Sequence, residues 1–347
     1  MLEVRAERVR REVAAVAGSG VDVARLHGRA IELVGHTMRS ELTCWALIDP
    51  VTLTISSMTR GPNRVPSECE PLLAESEYGG RDPGSFAALA RSGPNVVRAS
   101  DLPATAVAGS LRHGAVWRPL GMDREIRVVF RIDGMCWGGA GFVRSGPDFT
   151  DRDVEFLSTV APALAAATRA AVRDRVRPPA DGGEPAVVVT DAAGDPIALT
   201  AAARSWRDRL DEADPGRLPV LLRIATAGAR SSSSGVFRAR VRDASGGWVL
   251  VRATALLGGE EGRTVVTVEP ATDRELTDLV FAACALTTRE REVCADVMTG
   301  HSTRDIAERR GFTPNTVHDH LKSVYAKTGV RSRAELVARL RPGRRIG

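Results

Sequence analysis

The sequence is almost without lysine. Of its 48 basic residues only Lys322 and Lys327 are lysine, and arginine supplies the others. Aromatic side chains are also scarce, at 4% of 347 residues. No stretch approaches 18 uncharged apolar residues, so a membrane-spanning helix is excluded by length. Met1-Leu2-Glu3-Val4-Arg5 opens on a charged amphipathic pattern rather than a signal-peptide core, and the expected location is the cytoplasm. Five cysteines, Cys44, Cys69, Cys136, Cys284 and Cys294, are odd in number, scattered and never spaced CxxC, so neither a disulfide framework nor a zinc site is indicated. Catalytic signatures are missing as well. There is no GxxxxGK[ST], G-x-S-x-G or H-E-x-x-H, and His27, His36 and His113 lack metal-type partners at useful spacing. No enzyme activity, metal or cofactor is expected.

What is present is an ordinary globular composition, 43% hydrophobic and 26% charged, with length for two or three domains. Charge is unevenly spread. The net charge is +5, yet residues 280–347 carry 13 Lys+Arg against 7 Asp+Glu, while the rest carries 35 basic and 36 acidic residues. A polyanionic partner is therefore to be sought at the last fifth of the chain.

Two composition breaks suggest five segments: 1–176, a Pro/Gly-rich linker at 177–185, 186–270, a connecting helix at 271–285, and 286–347. In the first, Val9, Val13 and Val16 recur at helical spacing, and Leu26, Ala30, Leu33 and Val34 do so in a second helix over 23–38. Strand patterns follow at 44–48, 52–56, 126–132 and 137–143, and Phe149-Thr150-Asp151 opens a long helix carrying Leu157, Val160 and Leu164. Asp49 before Pro50 reads as a turn residue rather than a phosphoacceptor. The order is α+β. In Cys44-Trp45-Ala46-Leu47-Ile48-Asp49-Pro50, Trp137-Gly138-Gly139-Ala140-Gly141-Phe142-Val143 and the helix start at Phe149, the segment resembles a GAF sensor domain. Trp45, Trp117, Trp137 and Phe142 are candidates to line a ligand cavity, with core packing as the alternative.

In the second α+β segment, Ala186-Val187-Val188-Val189-Thr190 reads as a strand, Asp191 to Asp195 as a turn and 196–199 as its return. A helix over 201–210 and strands at 236–241, 248–254 and 264–268 follow. The arrangement is similar to a PAS-like fold. Thr272-x-x-Glu275 then reads as a capping box, and Leu276, Leu279, Val280 and Ala283 form an apolar seam suited to a dimer.

The last segment contains four helix starts. Thr287 with Glu290, Ser302 with Asp305, Thr313 before Pro314, and Ser332 with Glu335 are cap signals, and Gly300, Gly311 and Gly329 are stops. Projected at 100° per residue, the third helix gathers Val317, Leu321, Val324 and Thr328 on one face and Asn315, Asp319, Lys322, Ser323 and Ala326 on the other, with His318 flanking. Short polar residues and a lysine suit entry into a major groove. Leu286-Thr287-x-Arg289-Glu290, Ile306-Ala307, Thr316-Val317-x-x-His320 and Lys327-x-Gly329-Val330 followed by Arg333 make this all-α, four-helix segment resemble the LuxR-type helix-turn-helix.

That resemblance implies a third helix that reads DNA through His318, Asp319 and Lys322. With their neighbours, the candidate DNA contacts are Ser302, Thr313, Asn315, Thr316, His318, Asp319, Lys322, Ser323, Lys327, Arg331 and Arg333. Arg341, Arg344 and Arg345 are further phosphate candidates. Asp319 either accepts from a cytosine amino group or holds a neighbouring side chain. Lys327 is open between DNA contact and helix-end cation, and His320 between core and DNA. The implied partners are double-stranded DNA, an unidentified small-molecule effector, a second copy of the chain and RNA polymerase. The upstream domains admit two alternatives: a cysteine-based redox sensor using Cys44, Cys69 or Cys136, or a dimerisation scaffold without ligand.

Overall fold

The computed structural model describes residues 2–80, 82–173, 175–212, 216–257 and 262–340. The first helices are α1, Leu2–Gly18, and α2, Val23–Gly35, the latter capped by Asp22, which accepts the amide of Arg25 at 2.8 Å. Strands β1, Leu42–Ile48, and β2, Ile55–Arg60, precede helices α3, Glu70–Tyr78, and α4, Phe86–Ser92. Strand β3, Val96–Arg98, helix α5, Ala104–Gly109, and a π-helical turn at Arg112–Trp117 follow. Strands β4, Arg124–Ile132, and β5, Met135–Arg144, and the long helix α6, Asp151–Arg173, complete an α+β domain. Its antiparallel sheet has the order β2-β1-β5-β4-β3.

Alternation along β1 decides what each sheet face carries. Trp45 and Leu47 join Phe130, Trp137 and Phe142 in the core under α1, α2 and α6. Ala46 and Ile48 face the other way, against Phe86 and Leu89 of α4. Phe86 can approach only because Gly139 has no side chain: a Cβ there would stand 2.7 Å from the ring. The strand expected at 52–56 begins later, at Ile55. Asp49 accepts the amides of Val51 and Thr52 at 2.9 and 3.3 Å, so the chain turns through 51–54 first.

The second sheet is built from β6, Ala186–Thr190, β7, Pro196–Leu199, β8, Val236–Arg242, β9, Trp248–Ala255, and β10, Thr264–Pro270, in the order β7-β6-β10-β9-β8. Counted from its own first strand, this is the order of the first sheet. Helices α7, Ala201–Asp211, and α8, Arg217–Ser231, cover one face, where Trp206, Leu210 and Leu222 meet Val249, Val251 and Val266. The alternate residues of β9, Trp248 and Leu250, join the core shared with α6. Segment 177–185 is no loose tether: Trp248 donates its amide to Arg177 O at 2.9 Å, and Trp206 Nε1 donates to Glu184 O at 2.8 Å.

Helix α9, Asp273–Ala283, starts at the expected capping box, with both reciprocal hydrogen bonds made. Its seam is not available to a second chain. Leu276, Leu279, Val280 and Ala283 are all buried within this chain, in the core that also contains residues of α6 and of the C-terminal helices. The dimer surface expected there is thus corrected to an intramolecular contact, because the same apolar stripe satisfies either partner and the nearer one covers it.

Candidate nucleic-acid interface

Among the described residues, four helices make up the C-terminal part: α10, Thr288–Met298, α11, Thr303–Arg310, α12, Pro314–Thr328, and α13, Arg333–Arg339. Thr287, Ser302, Thr313 and Ser332 each accept an amide hydrogen bond as N-caps. Gly311 and Gly329 close α11 and α12 in the left-handed region, at φ 66° and 73°. Between α11 and α12, the Phe312 ring lies 5.6 Å from that of His320, which anchors the turn and draws His320 towards the protein.

Helix α12 divides cleanly. Val317, Leu321, Val324 and Thr328 are buried, while Asn315, His318, Asp319, Lys322 and Ala326 are exposed. His318 Nδ1 lies 3.2 Å from Pro314 O. Among the described residues, no carboxylate pairs with Lys322, so its ammonium group is presented to solvent. Thr313 and Thr316 share a 2.9 Å hydroxyl contact at the start of the helix, and Arg331 is exposed just beyond its end.

Three candidates have other engagements. Lys327 Nζ donates to both carboxylate oxygens of Glu290, at 2.8 and 2.7 Å, and Ser323 Oγ donates to Glu290 Oε1 at 2.6 Å. Both are turned onto α10 and away from the exposed face. Burial alone would raise the Glu290 pKa, but Lys327 and Ser323 outweigh it and hold the carboxylate at about 2. Arg333 donates to His301 O and braces α13. Ser302 is exposed, with its hydroxyl capping α11. The arginines at 341, 344 and 345 lie outside the described residues.

Of the four aromatic cavity candidates, only Trp117 lines a cavity; Trp45, Trp137 and Phe142 fill the core on the opposite side of the sheet. The cavity measures about 170 Å³ and lies among β1, β2, β5, α3 and the π-helical turn, with Val220 and Ile224 of α8 closing it from the second domain. Leu42, Ile55, Met58 and Tyr78 form apolar wall. A buried charge network bounds it: Arg112 reaches Asp82 and Glu125 at 3.0 Å each, and Arg127 reaches Glu77 at 2.9 Å. Burial would raise Asp82 and Glu125, but the arginines hold both below the usual carboxylate range. Trp117 Nε1 is a buried donor there without a partner, while Arg127 Nε makes no hydrogen bond but lies 3.9 Å from Glu125 Oε1. Only Trp117 of these network and cavity residues was legible in sequence; the others are brought together from separate elements.

All five cysteines are thiols. Burial raises Cys44 and Cys69 and pushes Cys136 up to about 11, which disfavours the thiolate that redox sensing requires. No helix among the described residues is long and apolar enough to cross a membrane.

With this geometry in place, comparison with known proteins is direct for one region. Residues 284–340 match the luxR family of bacterial regulatory proteins, and they form a LuxR-type helix-turn-helix domain. The chain is 30% identical over 157 residues to the probable transcriptional regulatory protein SgaR of Hyphomicrobium methylovorum, covering 43% of this chain and 64% of SgaR. It is 28% identical over 155 residues to the probable HTH-type transcriptional regulator GfsR of Streptomyces halstedii, covering 42% and 61%. The chain thus spans less than two thirds of either relative. Among solved structures, the phage VqmA–DPO complex aligns over 45% of this chain and 79% of that one, at 16% identity and a TM-score of 0.23.

Proposed function

We propose that the chain is a sequence-specific, double-stranded DNA-binding transcription regulator whose upstream domains respond to a small molecule. The observation that carries the DNA reading is the exposed face of α12, where Asn315, His318, Asp319 and Lys322 stand clear of the core. Such a face enters a major groove about 12 Å wide with its positive charge towards phosphate or base edges. Thr313, Thr316 and Arg331 flank it, while Ser302 and Arg333 approach the backbone. Ser323 and Lys327 support the helix through Glu290.

The common strand order of the two sheets supports the GAF-like and PAS-like readings of the upstream domains. For the signal, the 170 Å³ cavity with the unpartnered Trp117 Nε1 favours a ligand over a cysteine switch. Its buried arginines, Arg112 and Arg127, are already matched by Asp82, Glu125 and Glu77, so the fitting molecule is small, largely apolar and uncharged, with a hydrogen-bond acceptor. Two copies would read a near-palindrome with half-sites roughly 34 Å apart. Their contact lies away from the buried face of α9.

The test is selection of bound sequences from random duplex DNA by the full chain. A recovered consensus is expected. Lys322→Ala should weaken binding to it about fivefold or more and lower the log–log salt slope by about one. Failure to enrich any sequence, or unchanged affinity and slope in Lys322→Ala, overturns the reading.

A further inference from the structure

A second cleft, of about 320 Å³, separates the two sheet domains. It is bounded by the start of α2, by β2 and α8, by residues 242–246 between β8 and β9, and by Arg175 and Arg177. Ile55, Met58, Val220 and Ile224 form a wall shared with the apolar cavity, but the chemistry beyond that wall is different. Five arginines, Arg60, Arg175, Arg177, Arg217 and Arg242, line the cleft.

The carboxylates that line it have hydrogen-bond partners other than Arg242. Asp22 caps α2 through the Arg25 amide, Glu70 pairs with Arg60 at 2.9 Å, and Asp243 pairs with Arg209 at 3.1 Å while also accepting from Ser245 and Gly247. Arg175 donates to Gly20 O, a neutral carbonyl. Arg242 is the least compensated. It is 8% exposed, donates from Nη2 to Gly246 O at 2.8 Å, and leaves Nη1 without a partner. Among the described residues, no carboxylate pairs with it. The Ser56 hydroxyl, fully buried on a residue that lines the same cleft, also makes no hydrogen bond. Burial and the neighbouring Arg175 pull the Arg242 pKa down to about 10, and the nearby Asp22 and Asp243 carboxylates only partly offset them.

A buried guanidinium with an open donor, set among other guanidiniums, is costly unless an anion completes it. We infer that this cleft binds a phosphate-class oxyanion, free or as the terminal phosphate of a small molecule, seated on Arg242 Nη1 and Ser56 Oγ and flanked by Arg175 and Arg177. Several cations lining one cleft suit a dianion with three acceptor oxygens better than a single carboxylate. The residues come from the first domain, the segment between domains and the second domain. The occupant therefore bridges the two sheets and stabilises their relative position.

The experiment uses the full chain, titrated with inorganic phosphate and, separately, glycerol phosphate, against chloride at matched ionic strength. Thermal unfolding should shift upward by several degrees and saturate with either phosphate compound but not with chloride. Tighter binding of glycerol phosphate points to an ester, and equal or tighter binding of inorganic phosphate to the free ion. Arg242→Gln should weaken the dissociation constant roughly tenfold or more. Should that buried variant fail to fold, Arg177→Gln, at an exposed position, should still weaken it severalfold. Hydrogen exchange locates the site: protection is expected at residues 175–177 and 242–247. The inference is overturned if chloride acts equally, if the folded variants bind phosphate unchanged, or if protection is confined to residues 313–331.

Discussion

Glu290 accepts the Thr287 amide as part of a capping box and, with the same carboxylate, holds Ser323 and Lys327 on α12. The first role is local and could be read from Thr287-x-x-Glu290; the second joins residues 37 positions apart and has no local signature. Glu290→Ala should destabilise the domain by about 2 kcal/mol in thermal unfolding, since Lys327 is only partly withdrawn from water. Because the folded pKa is about 2 against an ordinary 4.5, this contribution is complete above about pH 4.5 and fades as pH falls towards 2. His27 has the opposite charge chemistry. Packed against Trp45 and Phe130, with Nε2 3.2 Å from Thr168 Oγ1, it is pushed down to about 4 by burial. Below pH 6.5 the unfolded chain takes up a proton that the fold refuses, so stability falls between about pH 6.5 and 4, by roughly 3 kcal/mol in all. His27→Gln, which cannot titrate, should flatten that part of a stability–pH profile measured by denaturant unfolding.

Elements with strong local signals were legible and those set by long-range contacts were not. Helix α12 runs from Pro314 to Thr328 as its proline, apolar spacing and Gly329 require. Helix α8 carries Leu218, Leu221, Leu222 and Ala225 at helical spacing, a signal that the strand-based reading of its domain passed over. The function of α9 was the least readable, because an apolar stripe states that a partner exists and not which one. Leu279→Ala should lower stability by about 3 kcal/mol, as expected of a buried leucine, and leave the oligomeric state unchanged in sedimentation. A change of assembly without loss of stability would restore α9 as a surface between copies.

At the scale of the molecule, one buried ion pair ties three parts together. Arg240 of β8 reaches both carboxylate oxygens of Asp49, at 2.5 and 2.8 Å, and donates to Glu275 O of α9 at 2.5 Å. Arg240→Ala leaves Asp49 charged and buried, so we expect a loss of about 3–5 kcal/mol and separation of one calorimetric unfolding transition into two. Replacing the pair together, with Arg240→Met and Asp49→Leu, should recover most of that stability. By itself the sequence determined the charged C-terminal head, its helix caps and the two faces of α12, because caps act over three residues and helix faces repeat every 3.6. Only the tertiary structure decided that Lys327 and Ser323 turn inward, that α9 is already covered, and that cavities form between the domains. Those outcomes depend on which distant group fills a given contact first, and spacing along the chain does not encode that.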